Sequence, residues 1–439
     1  MRYYSTNLST PPASLEDVVI KSLASDKGLY MPERIPTLDD AIIKSLKTKS
    51  FAEIGDIVAQ AYFGDDMPRE ELSEIVYDTL SFDTPVVQVD DNVFSLELFH
   101  GPTLAFKDVG ARFMARMLGY FIRRKGLDNE VNVLVATSGD TGGAVANGFL
   151  GVEGIRVFVL YPKGKVSPIQ ECQFTTLGKN ITALEIDGTF DDCQALVKAA
   201  FADADLNSSM NLTSANSINV ARFLPQSFYY FNAYAQLDAI GKADNLIVSV
   251  PSGNFGNLTS GLFAWRMGLP VKRFIAANNR NDVFLEYLRS GRYNPRESVE
   301  TYANAMDVGN PSNFARILDL FGDNHHAISS LIAGFSYADE QIAQIIKAVS
   351  SKYAYLVDPH GACGYQALAD YGLKSTETGV FLETAHPAKF KETVDLILGG
   401  NMAIPPKLAA FMQGSKNSIS LSKSFQDFKQ YIYELRVES

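Results

Sequence analysis

The chain has 439 residues, too many for one small core, so two or three lobes are expected. Hydrophobic residues make up 46% and charged residues 20%, the balance of an ordinary soluble globular protein. The net charge of −11 argues against nucleic acid or an anionic membrane as the main partner, and it requires any phosphate site to be locally basic. The opening residues, Met1-Arg2-Tyr3-Tyr4-Ser5-Thr6-Asn7, carry no apolar signal core, and no segment is long and apolar enough to span a bilayer. Cys172, Cys193 and Cys363 are scattered and fit neither a disulfide framework nor a metal site. Reduced thiols, a cytoplasmic location and no bound metal are expected.

Residues 1–92 read as a mainly helical N-terminal region, with helical runs at Leu15 to Ser25, Leu38 to Leu46, Phe51 to Phe63 and Arg69 to Leu80. Next comes Leu98-Phe99-His100-Gly101-Pro102-Thr103-Leu104-Ala105-Phe106-Lys107-Asp108. Its lysine follows apolar residues and precedes an acid and Gly110. One reading is a lysine snorkelling from a helix start. The other is an amine whose charged form is poorly solvated, so that its pKa falls and it can form a Schiff base with an aldehyde.

Beyond about residue 130 the pattern becomes regular strand–helix alternation. Strands are expected at 131–136, 155–161, 180–186, 245–250, 272–277 and 378–382, with helices between them such as Phe190 to Asp203 and Asn219 to Leu237. This order implies parallel sheets covered on both faces, with ligands at the carboxyl ends of strands. The chain then divides into a smaller α/β lobe at 93–215 and a larger one at 216–439 that includes the C-terminal tail.

Three strand ends carry chemistry. The turn Thr137-Ser138-Gly139-Asp140-Thr141-Gly142-Gly143 lies between a strand and a helix, where glycines admit a ligand to the backbone and a helix start favours negative charge. An ordinary β-α turn is the alternative. The turn Ser252-Gly253-Asn254-Phe255-Gly256-Asn257 has the same setting and suits a phosphate. It has neither the P-loop lysine nor the dinucleotide glycine spacing, so a phosphorylated cofactor fits better. The third is Leu382-Glu383-Thr384-Ala385-His386-Pro387, where the Thr384 hydroxyl can hydrogen-bond a ring nitrogen. His386 reads as a helix-start histidine.

Taken together, these segments resemble the threonine synthases, pyridoxal-phosphate enzymes of fold type II (the tryptophan synthase β-like group). The resemblance rests on the Lys107 segment, Ala136 to Gly142, Ser214-Ala215-Asn216-Ser217-Ile218-Asn219, Pro251 to Gly256, Asn304-Ala305-Met306-Asp307-Val308 and Thr384 to Phe390. Lys27-Gly28-Leu29-Tyr30-Met31-Pro32 matches as well, so the likeness runs in order from the first thirty or so residues to about residue 400. It implies two parallel-sheet α/β lobes plus the helical N-terminal region. It also implies pyridoxal 5'-phosphate held by Lys107, cradled at its phosphate by Ser252 to Asn257, and contacted at its ring nitrogen by Thr384. The implied reaction converts O-phospho-L-homoserine and water into L-threonine and phosphate by γ-elimination and β-hydration.

Under the same resemblance Thr137, Ser138, Gly139, Asp140 and Thr141 would hold the substrate carboxylate. Asp140 fits poorly there, because like charges repel; a contact to the cofactor ring hydroxyl or a helix cap suits it better. Candidates for the substrate phosphate are Lys163, Lys165, Asn216, Ser217, Asn219 and Arg222, an arginine fork being well matched to phosphate. For Lys163 and Lys165 a solvated loop is the alternative. Rival readings are another pyridoxal-phosphate lyase or dehydratase, a non-catalytic paralogue and a dinucleotide oxidoreductase. Intact Lys107, Gly253, Gly256 and Thr384 argue against the paralogue, and the missing Gly-x-Gly-x-x-Gly argues against the oxidoreductase. Monomer and dimer are both compatible with the sequence.

Overall fold

A computed structural model describes residues 1–126 and 130–437 and builds them on three sheets. The first is small and antiparallel: β1 (Arg2–Ser5) lies between β2 (Ala13–Ser14) and β3 (Tyr30–Pro32). Helices Leu15–Lys21, Asp40–Ser45, Phe51–Phe63 and Arg69–Thr79 complete the N-terminal region. The third of these starts at a capping box, in which Ser50 and Glu53 satisfy each other's amides, and it buries Phe51, Ile54, Val58 and Tyr62 along one stripe. The first ends at Lys21, earlier than Ser25. Ser22 turns to φ 63°, and its hydroxyl accepts from Ser214 N–H at 3.1 Å.

The second sheet contains β4 (Val86–Asp90), β5 (Val93–Glu97), β10 (Leu246–Pro251), β11 (Val271–Asn278), β12 (Ile332–Ser336) and β13 (Thr378–Glu383), in the order β12-β11-β10-β13-β5-β4. All neighbours are parallel except β4 and β5. The third sheet contains β6 (Val131–Ala136), β7 (Ile155–Pro162), β8 (Ile181–Asp187), β9 (Asn211–Ser214) and β14 (Ile419–Ser422), all parallel, in the order β14-β8-β7-β6-β9. Every residue of β6, β10 and β13 is buried, as strands covered on both faces must be.

The six expected strands are present to within a residue or two at their ends. Sheet membership, however, does not follow the divisions at 92/93 and 215/216. Strand β5 belongs with the later strands, Val93 pairing with Gly379, and β14 of the tail belongs with β8, Ile419 pairing with Leu184. The single helix expected from Asn219 to Leu237 is broken into Val220–Phe223, a 3₁₀ turn at Leu224–Gln226 and Ser227–Ala239. Pro225 has no N–H to continue the ladder.

Helix Lys107–Lys125 connects the two large sheets. It buries Val109, Phe113, Met114, Met117, Leu118 and Phe121, each worth ~1.5–3 kcal/mol relative to exposure, and it closes at Gly126 with φ 60°. Among the described residues no helix is long and apolar enough to cross a membrane.

Candidate active site

Lys107 is the first residue of its helix. The approach is tightly held: Leu104 takes a left-handed φ of 56°, and Ala105 bridges to Ala385. Phe106 N–H donates to Thr384 O at 2.8 Å, and His386 N–H donates to Leu104 O at 3.1 Å. The lysine segment and the end of β13 therefore form one unit. The half-buried amine lines a cleft and lies 5.6 Å from the centre of the Phe106 ring. Burial pulls its pKa from 10.5 to about 8; Asp140 opposes the fall, while Lys389 and Arg222 reinforce it.

The turn after β10 enters the same cleft through Gly253, Asn254, Phe255, Gly256 and Asn257. Ser252 N–H donates to Ala277 O and Leu258 N–H to Asn257 Oδ1, but the five amides between them take no acceptor from the described residues. These amides open helix Gly256–Arg266, and Phe255 holds a left-handed φ of 58° to aim them. Two glycines are required by packing. A Cβ on Gly253 would lie 2.5 Å from Met306 Cα, and one on Gly256 would lie 2.9 Å from Ser217 Cβ. Ser252 itself does not reach the cleft, because its hydroxyl donates to Asn257 Oδ1.

The turn after β6 divides in two. Thr137, Ser138 and Thr141 line the cleft, and the amides of Ser138, Asp140 and Thr141 take no acceptor from the described residues. The Thr137 hydroxyl accepts from Gly139 N–H and Gly142 N–H at 2.9 and 2.8 Å, which shapes the turn. Gly139 and Asp140 face away. Gly139, at φ 144°, lies against Gln170, and a Cβ there would lie 2.6 Å from that side chain. Asp140 makes no cap; its Oδ1 is 2.8 Å from Lys389 Nζ and accepts from Gln170 Nε2 at 2.9 Å. Burial alone would raise its pKa, but Lys389 and Lys107 hold it well below the usual carboxylate range.

Asn216, Ser217 and Arg222 line the cleft as well. Arg222 Nε donates to Ala215 O at 2.7 Å and Nη1 to Lys107 O at 3.0 Å, which leaves Nη2 for a ligand. The Ser217 hydroxyl accepts from Asn254 Nδ2 and Asn313 Nδ2, joining this segment to the β10 turn. Behind it, fully buried Arg316 donates to Tyr30 O, Ser217 O, Ile218 O and Asn313 Oδ1. No carboxylate of the described residues pairs with either arginine, and burial lowers Arg222 to about 10 and Arg316 to about 9. These two guanidinium groups put positive charge in and behind the cleft of an otherwise acidic protein.

Three candidates for the substrate phosphate lie elsewhere. Lys163 is exposed in the turn after β7, as is Lys165, which pairs with Glu300 at 3.7 Å. Asn219 is buried as a helix cap, its Oδ1 accepting from Ala221 N–H and its Nδ2 donating to Val19 O and Ser22 Oγ. Thr384 lines the cleft, and its hydroxyl takes no partner from the described residues. His386 is the helix-start histidine expected, with Nδ1 accepting from Ala388 N–H at 3.0 Å.

Three features of the site were not read from the sequence as site residues. Asn304 to Val308 line the cleft, with Asn304 Oδ1 buried and unpartnered, as is Gln226 Oε1. Asp307, in that segment, accepts from Asn279, Asn281 and Thr301, yet burial raises its pKa to about 7. His360 fixes the segment from below: Nε2 accepts from Ala305 N–H at 3.1 Å, so the proton sits on Nδ1, 3.2 Å from Asp358 Oδ1. Asp358-Pro359, a cap followed by a first-turn proline, is the signal that could have located this helix start. Lys389 gave no such signal.

An amine of lowered pKa, a row of unpaired amides at a helix start and a free hydroxyl at a strand end fit a phosphorylated aldehyde with a ring nitrogen. Fold and site together define a pyridoxal-phosphate-dependent enzyme of fold type II, and the family model described as pyridoxal-phosphate dependent enzyme matches residues 79–382. The models for the threonine synthase N terminus and C-terminal region match residues 2–80 and 361–432. The threonine synthase of Haemophilus influenzae is 45% identical over 98% of this chain and 99% of its own. The crystal structure of threonine synthase from Escherichia coli superposes with a TM-score of 0.92 at 42% identity, over 99% of this chain and 100% of its own. The structure of PLP-bound threonine synthase from Brucella melitensis gives 0.92 at 36% identity, over 99% of both chains. The chain belongs to the threonine synthase family, and its activity is that of a pyridoxal-phosphate-dependent lyase in threonine biosynthesis.

Proposed function

We propose that the enzyme converts O-phospho-L-homoserine and water into L-threonine and phosphate, and that it does so in the cytoplasm, where its three free thiols stay reduced. One observation carries the substrate reading: besides the turn after β6, the cleft is lined by two sets of donors, joined through the hydrogen bond from Asn254 to Ser217. The unpaired amides of Gly253 to Asn257 suit the cofactor phosphate. Asn216, Ser217 and Arg222 Nη2 suit a second phosphate, that of the substrate.

Pyridoxal phosphate, when bound, supplies an electron sink for negative charge at the substrate α-carbon. Lys107 holds the cofactor covalently and, once released, takes and returns protons at Nζ, a task suited by a pKa near the working pH. Thr384 presents its hydroxyl to the ring nitrogen; a hydroxyl stabilises a protonated ring less than a carboxylate would. Ser138 and Thr141 receive the substrate carboxylate through their unpaired amides, and the Thr137 hydroxyl, which accepts two amides of the turn, keeps its own proton to donate. Gly139 shapes that turn, and Asp140 anchors it.

The test is product analysis with O-phospho-L-homoserine in ¹⁸O-labelled water. Labelled threonine with an equal yield of phosphate supports the proposal. Formation of 2-oxobutanoate instead, or no turnover, refutes it.

A further inference from the structure

Lys389 follows β13 of the six-stranded sheet, in the 3₁₀ turn Pro387–Phe390, and its side chain is fully buried. Its ammonium lies 2.8 Å from Asp140 Oδ1, at the first turn of the helix that follows β6 of the five-stranded sheet. The same ammonium donates to Thr103 O at 2.8 Å, in the loop leading to Lys107. Thr103 is itself fixed, its N–H and Oγ1 both donating to Asp108 and its carbonyl also accepting from Gln173 Nε2. One side chain thus reaches the end of β13, the turn after β6 and the lysine loop.

We propose that Lys389 is a positioning residue that fastens these three segments and occupies the Asp140 carboxylate, so that Lys107 stays free of an ion pair. The proposal rests on the reading of Lys107 as the cofactor lysine. A buried ion pair seldom adds stability over an apolar pair of the same volume, so arrangement is the better account of this one. The charged groups acting on Lys107 are Asp140, Lys389, Arg222 and Asp358; Asp140 and Asp358 favour its protonated form, and the two cations oppose it. Without Lys389, the other cation acting on the buried Asp140 is Lys107, and the carboxylate draws a proton onto it.

The test uses holoenzyme of the wild type, Lys389→Met, Asp140→Asn and the double variant. The first readout is the pH midpoint of the bound cofactor's absorbance change, which follows the proton on the Lys107 nitrogen. The midpoint rises by about one pH unit in Lys389→Met, falls in Asp140→Asn and returns toward the wild type in the double variant. The second readout is kcat/KM, which falls at least ~30-fold in each single variant, with the double variant at least ~10-fold better than the product of the two losses. Midpoints that stay in place, or losses that simply multiply, overturn the proposal. If Lys389→Met does not fold, the fall in Asp140→Asn and the return in the double variant still decide it. A wild-type absorbance that persists in Lys107→Ala overturns the cofactor-lysine reading instead.

Discussion

At pH 8 about half of the Lys107 amines are neutral if the pKa is about 8, against roughly 0.3% for a lysine at 10.5. That difference, about 150-fold, is the advantage that burial gives this amine as a nucleophile near neutral pH. Cofactor-free protein pulsed with an amine-directed acylating reagent from pH 6 to 11 should label Lys107 with a midpoint near 8. A model peptide bearing one lysine, added to the same sample, marks the ordinary lysine range. Peptide mass spectrometry reads both in one sample. The same shift has a sign in stability. Between about pH 8 and 10.5 the folded chain binds fewer protons at this site than the unfolded chain, so this contribution strengthens as pH rises through the window. A Lys107 midpoint at or above 10 would refute the desolvation argument, and borohydride reduction of the holoenzyme that marks another lysine would refute the assignment itself.

Arg222→Ala should raise KM for the phosphorylated substrate roughly 10- to 100-fold while changing cofactor content little, since it removes a charged hydrogen-bond donor; unchanged kinetics would take Arg222 out of the site. Thr384→Ala should keep cofactor bound and lower kcat about tenfold or more, and wild-type turnover would leave Thr384 a structural role only. Gly253→Ala drives a methyl into the Met306 backbone, an overpacking of ~1–3 kcal/mol, and cofactor affinity measured by titration should fall ~5- to 150-fold. An unaltered dissociation constant would show that the turn has room to spare. Asp307 binds its proton more tightly in the fold than in the unfolded chain, so its contribution to stability is lost as pH rises from about 4 to 7. Denaturant midpoints of Asp307→Asn at pH 4.5 and 7.5 should differ less than those of the wild type; an identical difference would count against the raised pKa.

The strands that the sequence made visible are those with unbroken apolar runs between turn residues, such as Val131–Ala136 and Leu246–Pro251. The strands it hid are short, polar or at a sheet edge. Asn211–Ser214 has four residues, three of them polar, and Ile332–Ser336 is interrupted by Gly334. The two glycine turns and Thr384 were legible because ligands gather at strand ends, a rule of local pattern. Lys389 was not, because a lysine becomes a buried ion only through a carboxylate brought to it by the other sheet. Asn219 and Ser252 misled for the converse reason: each has the right chemistry for a ligand, but local backbone and side-chain partners had already taken it.

Strand β5 has a consequence for how the chain is made. Its inner neighbour, β13, emerges from the ribosome roughly 280 residues later, ~15–60 s at ~5–20 residues per second. Strands β6 to β9 are contiguous in sequence and can assemble during that wait, whereas β5 stands with one unpaired edge and Lys107 has no Thr384 segment to bind. Nascent chains released before residue 384 therefore expose an apolar strand edge beside an incomplete cleft, and they are the species that a holding chaperone should capture.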